Sequence, residues 1–340
     1  MKYAFSFLAV IALVLIAGLG SQIPGMPYLF GVALPYLAMM IFLGGCVYRV
    51  VQWGKSPVPF PIQTTCGQGK SLDFIKHNRL EAPNTTAEVV ARMFLEVVTF
   101  RSLFRNTKSE IYDGPKITYE SSKWLWGFAL IFHYSFLIVI LRHMRLFLDP
   151  VPACLGWLEF WDGLFQVGAP TWYITDIGLL AGCALLFGRR LITRHVRFIS
   201  LINDYFPLVL IFTIAFTGIL MRFFLRTDID IVTIKQLTVG LVTFSPTIGA
   251  EIGAIFYIHL FLVCVLIAYF PFSKLMHFAG VFFSPTRNMK NTSRSERHIN
   301  PWNPTIRPHS YSGYEDEFRE FMVEADIPVE KELAPAKDEE

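Results

Sequence analysis

The amino-acid sequence predicts an all-α fold, a polytopic membrane bundle of six transmembrane helices. Hydrophobic residues make up 53% of the 340 residues and charged residues only 17%, whereas a soluble domain carries about a quarter charged residues. The apolar residues are concentrated in six long runs, and lysine and arginine are concentrated in alternate segments between these runs. We therefore expect lipid to solvate most of the surface.

Six stretches are long and apolar enough to cross a hydrocarbon core, which needs about 20 apolar residues in a helix. They are Tyr3–Gly20, Pro27–Tyr48, Trp124–Leu148, Thr171–Gly188, Tyr205–Leu225 and Ile252–Phe278. The first and fourth are close to the lower limit of length. Because Lys2 precedes the first run, that run could instead be a signal peptide, although no clean cleavage site follows it.

The distribution of lysine and arginine predicts the orientation of the spans. One side would hold 25 of the 30 Lys and Arg residues, and it would also carry both termini. The other five are Arg142, Arg145, Arg222, Arg226 and Lys235. We therefore expect a multi-pass protein of the cytoplasmic (inner) membrane with both termini in the cytoplasm.

The spans and loops divide the chain into four parts. Residues 1–51 would form two N-terminal transmembrane helices, 52–122 a cytoplasmic loop, 123–283 a four-helix core, and 284–340 a cytoplasmic tail with an acidic end. The loop opens with a proline-rich stretch at 56–61, which should be extended. Neither the loop nor the tail has a core of its own, so we expect them to dock to a cytoplasmic subunit; disorder is the alternative for the last part of the tail.

The cytoplasmic loop contains one amphipathic segment, Thr85–Phe104. Its apolar residues recur at helical spacing, at Val89, Met93, Val97, Phe100 and Phe104. The spacing predicts one helix that lies on the membrane or on a partner.

The five cysteines are scattered, and no two of them have the two-residue spacing of an iron–sulfur or zinc motif. This argues against such a site built by this chain alone. Cys66, in a polar loop, is the one candidate for a reactive thiol.

Four of the eight histidines lie in the third and sixth spans: His133 and His143 in the third, His259 and His277 in the sixth. Ionisable side chains at membrane depth are costly and usually functional. A neutral imidazole can bind a haem iron without bringing charge into the membrane.

Depth limits which histidines can share a haem. At 1.5 Å per residue, His133 and His143 are about 15 Å apart along their helix, and His259 and His277 about 27 Å apart. Because the two spans are antiparallel, an outer haem iron would be bound by His143 and His259, and an inner one by His133 and His277. The unequal rises and the intervening Pro271 leave two alternatives open. One is a single haem on His133 and His259; the other is that the histidines only make polar contacts within a bundle.

Two arginines, Arg142 and Arg145, flank His143 and are candidates to pair with haem propionates, since guanidinium binds carboxylates with two parallel hydrogen bonds. Snorkelling at a helix end is the alternative. Lys274 and Lys123 are weaker candidates at the inner face.

Three carboxylates lie near the outer face or in a span. Glu159 and Asp162 could release quinol protons, but hydrated interfacial carboxylates are the simpler interpretation. Asp176 could belong to a proton path or to a hydrated helix end.

The histidine spacing, ten residues on one helix and eighteen on the last, resembles that of the gamma subunits of respiratory nitrate reductases. The resemblance covers roughly residues 120–280. It implies a quinol-oxidising dihaem cytochrome b with this pairing of ligands. The first span and the loop 52–122 depart from that family, which has five spans.

Longer strings over most of the chain resemble the M subunits of the Dsr membrane complexes of sulfate reducers. These strings lie at 102–106, 121–126, 270–277, 283–288 and 314–321. The resemblance implies two haem b groups, menaquinone as redox substrate and a cytoplasmic iron–sulfur subunit similar to heterodisulfide reductase. It also implies a periplasmic multihaem cytochrome c, a periplasmic iron–sulfur protein and a second quinone-reactive membrane subunit. No nucleic-acid partner is expected.

Three functions are consistent with these patterns. The first is an electron-transfer subunit of a menaquinol:acceptor oxidoreductase in dissimilatory sulfur metabolism, with no catalytic side chain of its own. The second is a proton or solute transport subunit, which often has internal repeats. The third is a membrane anchor without redox function.

Overall fold

The computed structural model of the chain describes residues 2–56, 70, 74, 76–112, 114, 116–166, 170–225, 230–249, 252–291 and 307–331. Four subjects of the sequence predictions lie outside the described residues: Cys66, nearly all of the proline-rich stretch, Arg226 and the last residues of the acidic tail.

The secondary structure is almost entirely helical, which confirms the predicted fold class. In chain order the helices are α1 (Lys2–Gly20), α2 (Met26–Tyr28), α3 (Leu34–Gly54), α4 (Thr86–Thr99), α5 (Arg101–Arg105), α6 (Lys123–His143), α7 (Ala153–Asp162), α8 (Ile174–Ile192), α9 (Arg194–Ile199), α10 (Ile202–Ile219), α11 (Ile231–Val242), α12 (Ala254–Tyr269), α13 (His277–Gly280), α14 (Pro285–Asn288) and α15 (Tyr311–Glu324). Strands β1 (Thr107–Tyr112) and β2 (Lys116–Ser121) form one antiparallel hairpin, and β3 (Gly163–Phe165) and β4 (Trp172–Tyr173) form another.

Within the described ranges, five helical segments are long and apolar enough to cross a membrane, so the chain is a multi-pass membrane protein. They are Lys2–Gly20, Met26–Gly54, Lys123–Leu146, Ile202–Phe224 and Ala254–Phe272. The predicted fourth span is helix α8, with 19 residues. It is not among the five, and it carries Asp176, Arg189 and Arg190 near its ends, so the count of six spans is approximate.

The long helices pack side by side. Helix α1 lies against α10 and α12, α3 lies against α12, and α8 packs against both α6 and α10. Lys2 Nζ donates to Ser200 O at 2.9 Å, and Lys274 Nζ donates to Asp204 Oδ1 at 2.7 Å, so the chain start meets the α9–α10 and α12–α13 connections. We call this the inner end of the bundle and the opposite end, which carries His143 and α7, the outer end.

The buried apolar side chains form two clusters that join helices distant in sequence. One includes Val10, Phe132, Leu179, Val209 and Leu262, and the other includes Ala17, Phe30, Leu237, Phe256 and Tyr257. Both clusters contain residues of α1 and α12, so the two N-terminal transmembrane segments share the core of the later helices.

One predicted helix is wrong in its continuity, and one predicted span ends earlier than its predicted stretch. The segment Thr85–Phe104 is not one helix: α4 ends at Thr99, and Phe100 adopts a left-handed backbone conformation with φ of 52° before α5 begins. Of its predicted apolar stripe, Val89 is buried within the chain, and Val97 and Phe104 are exposed. The sixth span ends at Tyr269 and continues as two 3₁₀ turns into α13, since Pro271 has no N–H to continue the helix.

Part of the tail is folded. Ser310 caps α15 by accepting a hydrogen bond from Gly313 N at 3.1 Å. The Glu315 carboxylate accepts hydrogen bonds from the backbone N–H groups of Glu330 and Lys331 and from Arg319. These donors hold the pKa of Glu315 below its usual range.

Helices α6 and α8 approach closely because α8 presents glycines to α6. A Cβ at Gly182 would lie 2.9 Å from Phe132 Cα and 3.0 Å from its N, closer than real Cβ contacts. Gly178, one turn earlier, faces Ser135. Small residues four apart let membrane helices approach to backbone contact.

We predict that Gly182→Ala destabilises the bundle by about 1–3 kcal/mol, because the added methyl group forces α8 away from the α6 backbone. The matched control is Gly188→Ala in the same helix, where a Cβ would meet nothing within 4 Å. Gly188→Ala should leave stability unchanged or raise it, since alanine favours helix. Thermal unfolding in detergent followed by circular dichroism measures both; equal melting temperatures would contradict the close approach.

Candidate functional site

The four histidines of the predicted third and sixth spans lie in two pairs at different depths. At the outer end, His143 of α6 faces His259 of α12, with ring centres 6.4 Å apart and ring planes 12° apart. At the inner end, His133 of α6 faces His277, the first residue of α13, at 5.8 Å and 90°. Ten residues of helix separate the two pairs along α6, a rise of about 15 Å.

The spacing within each pair suits a metal ion held between two imidazoles. If each ring binds at about 2.0 Å from opposite sides, the ring centres lie roughly 6 Å apart. Over the described part of the chain, no three His, Cys, Asp or Glu side chains converge on a metal-binding position. A pair therefore supplies two ligands. A porphyrin supplies the four others of a six-coordinate iron, so haem fits these pairs better than a bare ion.

Each of the four rings is oriented by a hydrogen bond at Nδ1. The acceptors are Ala129 O for His133 at 2.7 Å, Val139 O for His143 at 2.7 Å, Lys274 O for His277 at 2.8 Å and Thr217 Oγ1 for His259 at 2.9 Å. A carbonyl oxygen can only accept, so Nδ1 carries the proton in the first three. Metal-binding histidines commonly have this arrangement, which leaves the Nε2 lone pair for the metal.

His259 is oriented by a hydroxyl group instead of a carbonyl. The Thr217 hydroxyl donates its one proton to Ile214 O at 2.9 Å, and its oxygen can therefore accept from His259 Nδ1. Thr217 lies on α10, so a third helix fixes this ring. Gly218, the next residue, leaves room beside it, because a Cβ there would lie 3.4 Å from His259 Cε1.

The inner pair is covered on one side by aromatic rings. Phe100 packs edge-on against His133 with ring centres 5.0 Å apart, and Phe132 does the same at 5.0 Å. The left-handed backbone at Phe100 turns its ring toward α6. The turn between α4 and α5 thus contacts the inner histidines.

Arg142, next to His143, is buried and bound within the chain. Its guanidinium forms ion pairs with Asp176 and with Asp162, the latter at 3.2 Å from Nε, and it stacks on Tyr173 at 3.7 Å. Asp162 also accepts hydrogen bonds from Thr175 N at 3.0 Å and Thr175 Oγ1 at 2.6 Å. The cluster ties the end of α6 to α7 and to the start of α8. It fixes the backbone that carries His143.

The other candidate residues are more exposed. Arg145 pairs with Glu159 at 2.7 Å, and Lys274 pairs with Asp204. Lys123 lies over the Phe104 ring at 5.5 Å, away from the histidines.

One relevant residue, Arg222, was not predicted as a site residue and served only to predict the orientation of the spans. Its guanidinium lies 4.5 Å from the centre of the Tyr173 ring, on which Arg142 also stacks. Arg222 donates to Thr171 O at 3.2 Å, and none of the carboxylates that the structure describes is within ion-pair distance. An arginine in an otherwise apolar span is the signal that could have identified it.

We predict that Asp162→Ala lowers the free energy of unfolding by about 3 kcal/mol, because a buried arginine loses one of its two carboxylates. Glu159→Ala is the control: it removes the ion-pair partner of the half-exposed Arg145 and should cost less than about 1 kcal/mol. Unfolding by SDS titration in mixed micelles measures both. Equal losses would show that the Arg142 cluster does not stabilise the bundle.

Comparison with known proteins assigns the chain to a family. The family model of the nitrate reductase gamma subunit matches residues 95–293, more than half of the chain, and includes all four histidines. The chain is similar to an Hdr-like menaquinol oxidoreductase cytochrome b-like subunit of Archaeoglobus fulgidus, with 43% identity over 82% of this chain and 85% of that protein. The Archaeoglobus profundus subunit with the same name is 42% identical to this chain, over 80% of this chain and 82% of that protein. The chain therefore belongs to the nitrate reductase gamma subunit family.

Proposed function

We propose that this chain is the membrane cytochrome b subunit of a menaquinol oxidoreductase and that it binds two b-type haems. His143 and His259 would hold the outer haem iron, and His133 and His277 the inner one. The observation that carries the proposal is the presence of two opposed imidazole pairs, each with Nδ1 hydrogen-bonded. The names of the relatives supply menaquinol as the substrate.

The donor set indicates electron transfer rather than ligand binding. A bound haem would supply one-electron chemistry at its iron. Two imidazoles of this chain would hold each haem iron, so the bound group would transfer electrons rather than bind oxygen or substrate. The side chains of this chain then hold the two centres in place, exclude water and set their potentials. Menaquinone would exchange electrons at the edge of the site, and no side chain need act as a catalytic acid, base or nucleophile.

The haem propionates would meet basic side chains at the outer end. We retain Arg142 and Arg145 for this role. Arg145 is the better placed of the two to rotate, because it is half exposed, whereas Arg142 already binds Asp162 and Asp176. Arg222 is added to the candidates, since no described carboxylate pairs with its guanidinium.

We also propose the protein partners of this chain. Electrons would pass between the menaquinone pool and a cytoplasmic heterodisulfide-reductase-like iron–sulfur subunit in dissimilatory sulfur metabolism. A periplasmic multihaem cytochrome c, a periplasmic iron–sulfur protein and a second quinone-reactive membrane subunit would complete the complex. The inner end would face the cytoplasm, which is supported by the excess of Lys and Arg there and by the contacts of Lys2 and Lys274 at one end.

The proposal is tested by haem stoichiometry in the four His→Ala variants. We expect two haems per wild-type chain in the dithionite-reduced spectrum. His143→Ala or His259→Ala should lose one haem, and His133→Ala or His277→Ala should lose the other. His195→Ala, outside both pairs, is the control and should keep two. A folded, colourless wild-type protein would rule out the electron-transfer function, and one haem per chain would favour the His133–His259 alternative.

We predict that Thr217→Val raises the midpoint potential of one haem and leaves the other unchanged. Losing the Nδ1 acceptor makes the His259 imidazole a weaker donor to iron, which favours the reduced state, and affinity for that haem should fall about 10–100-fold. Thr213→Val, one turn earlier in α10, removes a hydroxyl that bonds Val209 O and is the matched control. A spectroscopic redox titration distinguishes them; two unmoved potentials would exclude the proposed role of Thr217.

A further inference from the structure

Helix α4 exposes apolar side chains on one face and buries charged ones on another. Val90, Phe94 and Val97 are 62%, 63% and 44% exposed, and their spacing of four and three residues places them on one face. Arg92 and Glu96 are buried instead. A helix on a soluble surface has the opposite arrangement.

Each of these buried charges has a partner within the protein. Glu96 forms an ion pair with Arg287 at 3.1 Å and accepts a hydrogen bond from Ser102 N at 3.0 Å. Arg92 donates to Glu81 O at 3.2 Å. Helix α4 therefore directs its polar groups toward α5 and α14, and its apolar stripe points away from the protein.

The segment α4–α5 runs beside the inner half of α6. At its turn, Phe100 contacts His133; further on, Phe104 packs on Trp126 with ring centres 4.9 Å apart and lies under Lys123. From Phe100 to Phe104 the chain thus returns along α6 toward its first residue. His133 is ten residues into α6, about 15 Å from that start and about half the thickness of a hydrocarbon core.

Carbonyl groups at the end of α4 accept hydrogen bonds from side chains, as a helix end within a membrane requires. A helix that stops leaves its last carbonyl groups without helical partners. Tyr134 Oη donates to Val98 O at 2.7 Å, and Trp126 Nε1 donates to Thr99 O at 2.8 Å. Both donors lie on the spanning helix α6. Non-helical backbone is tolerated at membrane depth where protein groups bond it in this way.

We propose that α4 and α5 form a re-entrant hairpin in the leaflet at the inner end, and that lipid acyl chains cover Val90, Phe94 and Val97. We identify lipid as the cover of this stripe because the stripe is continuous with the lipid-facing surface of the bundle. Tyr134, which bonds α4, lies on a face of α6 with the exposed Ile131 and Leu137. The apolar stripe extends this surface. The hairpin then shields the inner histidine pair from the membrane through Phe100.

Spin labels in the full chain in lipid nanodiscs test the proposal. Cys46, Cys66 and Cys154 are first replaced by alanine, and single labels are placed at Val90→Cys, Phe94→Cys and Val97→Cys. Oxygen concentrates in the hydrocarbon core and a nickel chelate in water, so their relaxation effects on the label report depth. We expect a ratio of oxygen to nickel accessibility several-fold above that of an aqueous label, rising from Val90 through Phe94 to Val97.

Two control labels give the accessibility expected in water and in lipid. Arg79→Cys, whose native side chain is 81% exposed just before α4, should report water, and Leu137→Cys on α6 should report lipid. A nickel-accessible label at Phe94 would overturn the proposal in favour of a hydrated surface. Low accessibility to both reagents at Phe94 would overturn it in favour of a protein partner on α4. Each labelled variant must retain the wild-type circular dichroism spectrum, so that the accessibility of the label reports its depth and not misfolding of the variant.

Discussion

Polar groups placed among long apolar helices must be satisfied by the protein itself, and this constraint shapes every unusual feature of the chain. Water is absent from the hydrocarbon core, so an unpaired buried N–H, carbonyl or charge is costly there. The Nδ1 atoms of the paired histidines each have an oxygen partner. Arg142 has two carboxylates, and Glu96 has Arg287. In the two histidine pairs, these Nδ1 contacts leave the Nε2 atoms available.

The same constraint explains how a broken helix can carry a histidine. Helix α12 ends where Pro271 removes an N–H, and the chain continues in short turns before His277. Gly45 of α3 allows this segment to pack closely, because a Cβ there would lie 2.7 Å from Pro271 Cβ. Ser273 closes the turn by accepting from Leu275 N at 3.1 Å. The break interrupts the helix between His259 and His277, and the two residues face histidines ten residues apart on α6.

The sequence was sufficient for the features that depend on composition along the chain. Apolar runs predicted the positions of the long helices, although the predicted sixth span extends nine residues beyond the end of α12, and the family suggested by the histidine spacing is confirmed. The features it missed depend on contacts between distant residues. Nothing near Arg142 predicts that Asp176, 34 residues away, binds it. The break at Phe100 was missed because a helical apolar pattern runs through it. Haem ligation and the partners remain predictions.

The two histidine pairs differ in their charged neighbours as well as in geometry. The outer pair has nearly parallel rings on two long helices, and Arg142 and Arg222 lie nearby. Asp162 and Asp176 together balance the charges of Arg142 and Arg222, so these four described side chains carry no net charge. The inner pair has perpendicular rings and an aromatic cover, with Lys274 neutralised by Asp204. A positive charge near a redox centre favours the state with one more electron, because it attracts that electron. With haems bound, removal of Arg222 would leave the two aspartates in excess over Arg142 and would lower the potential of the outer centre more than that of the inner one.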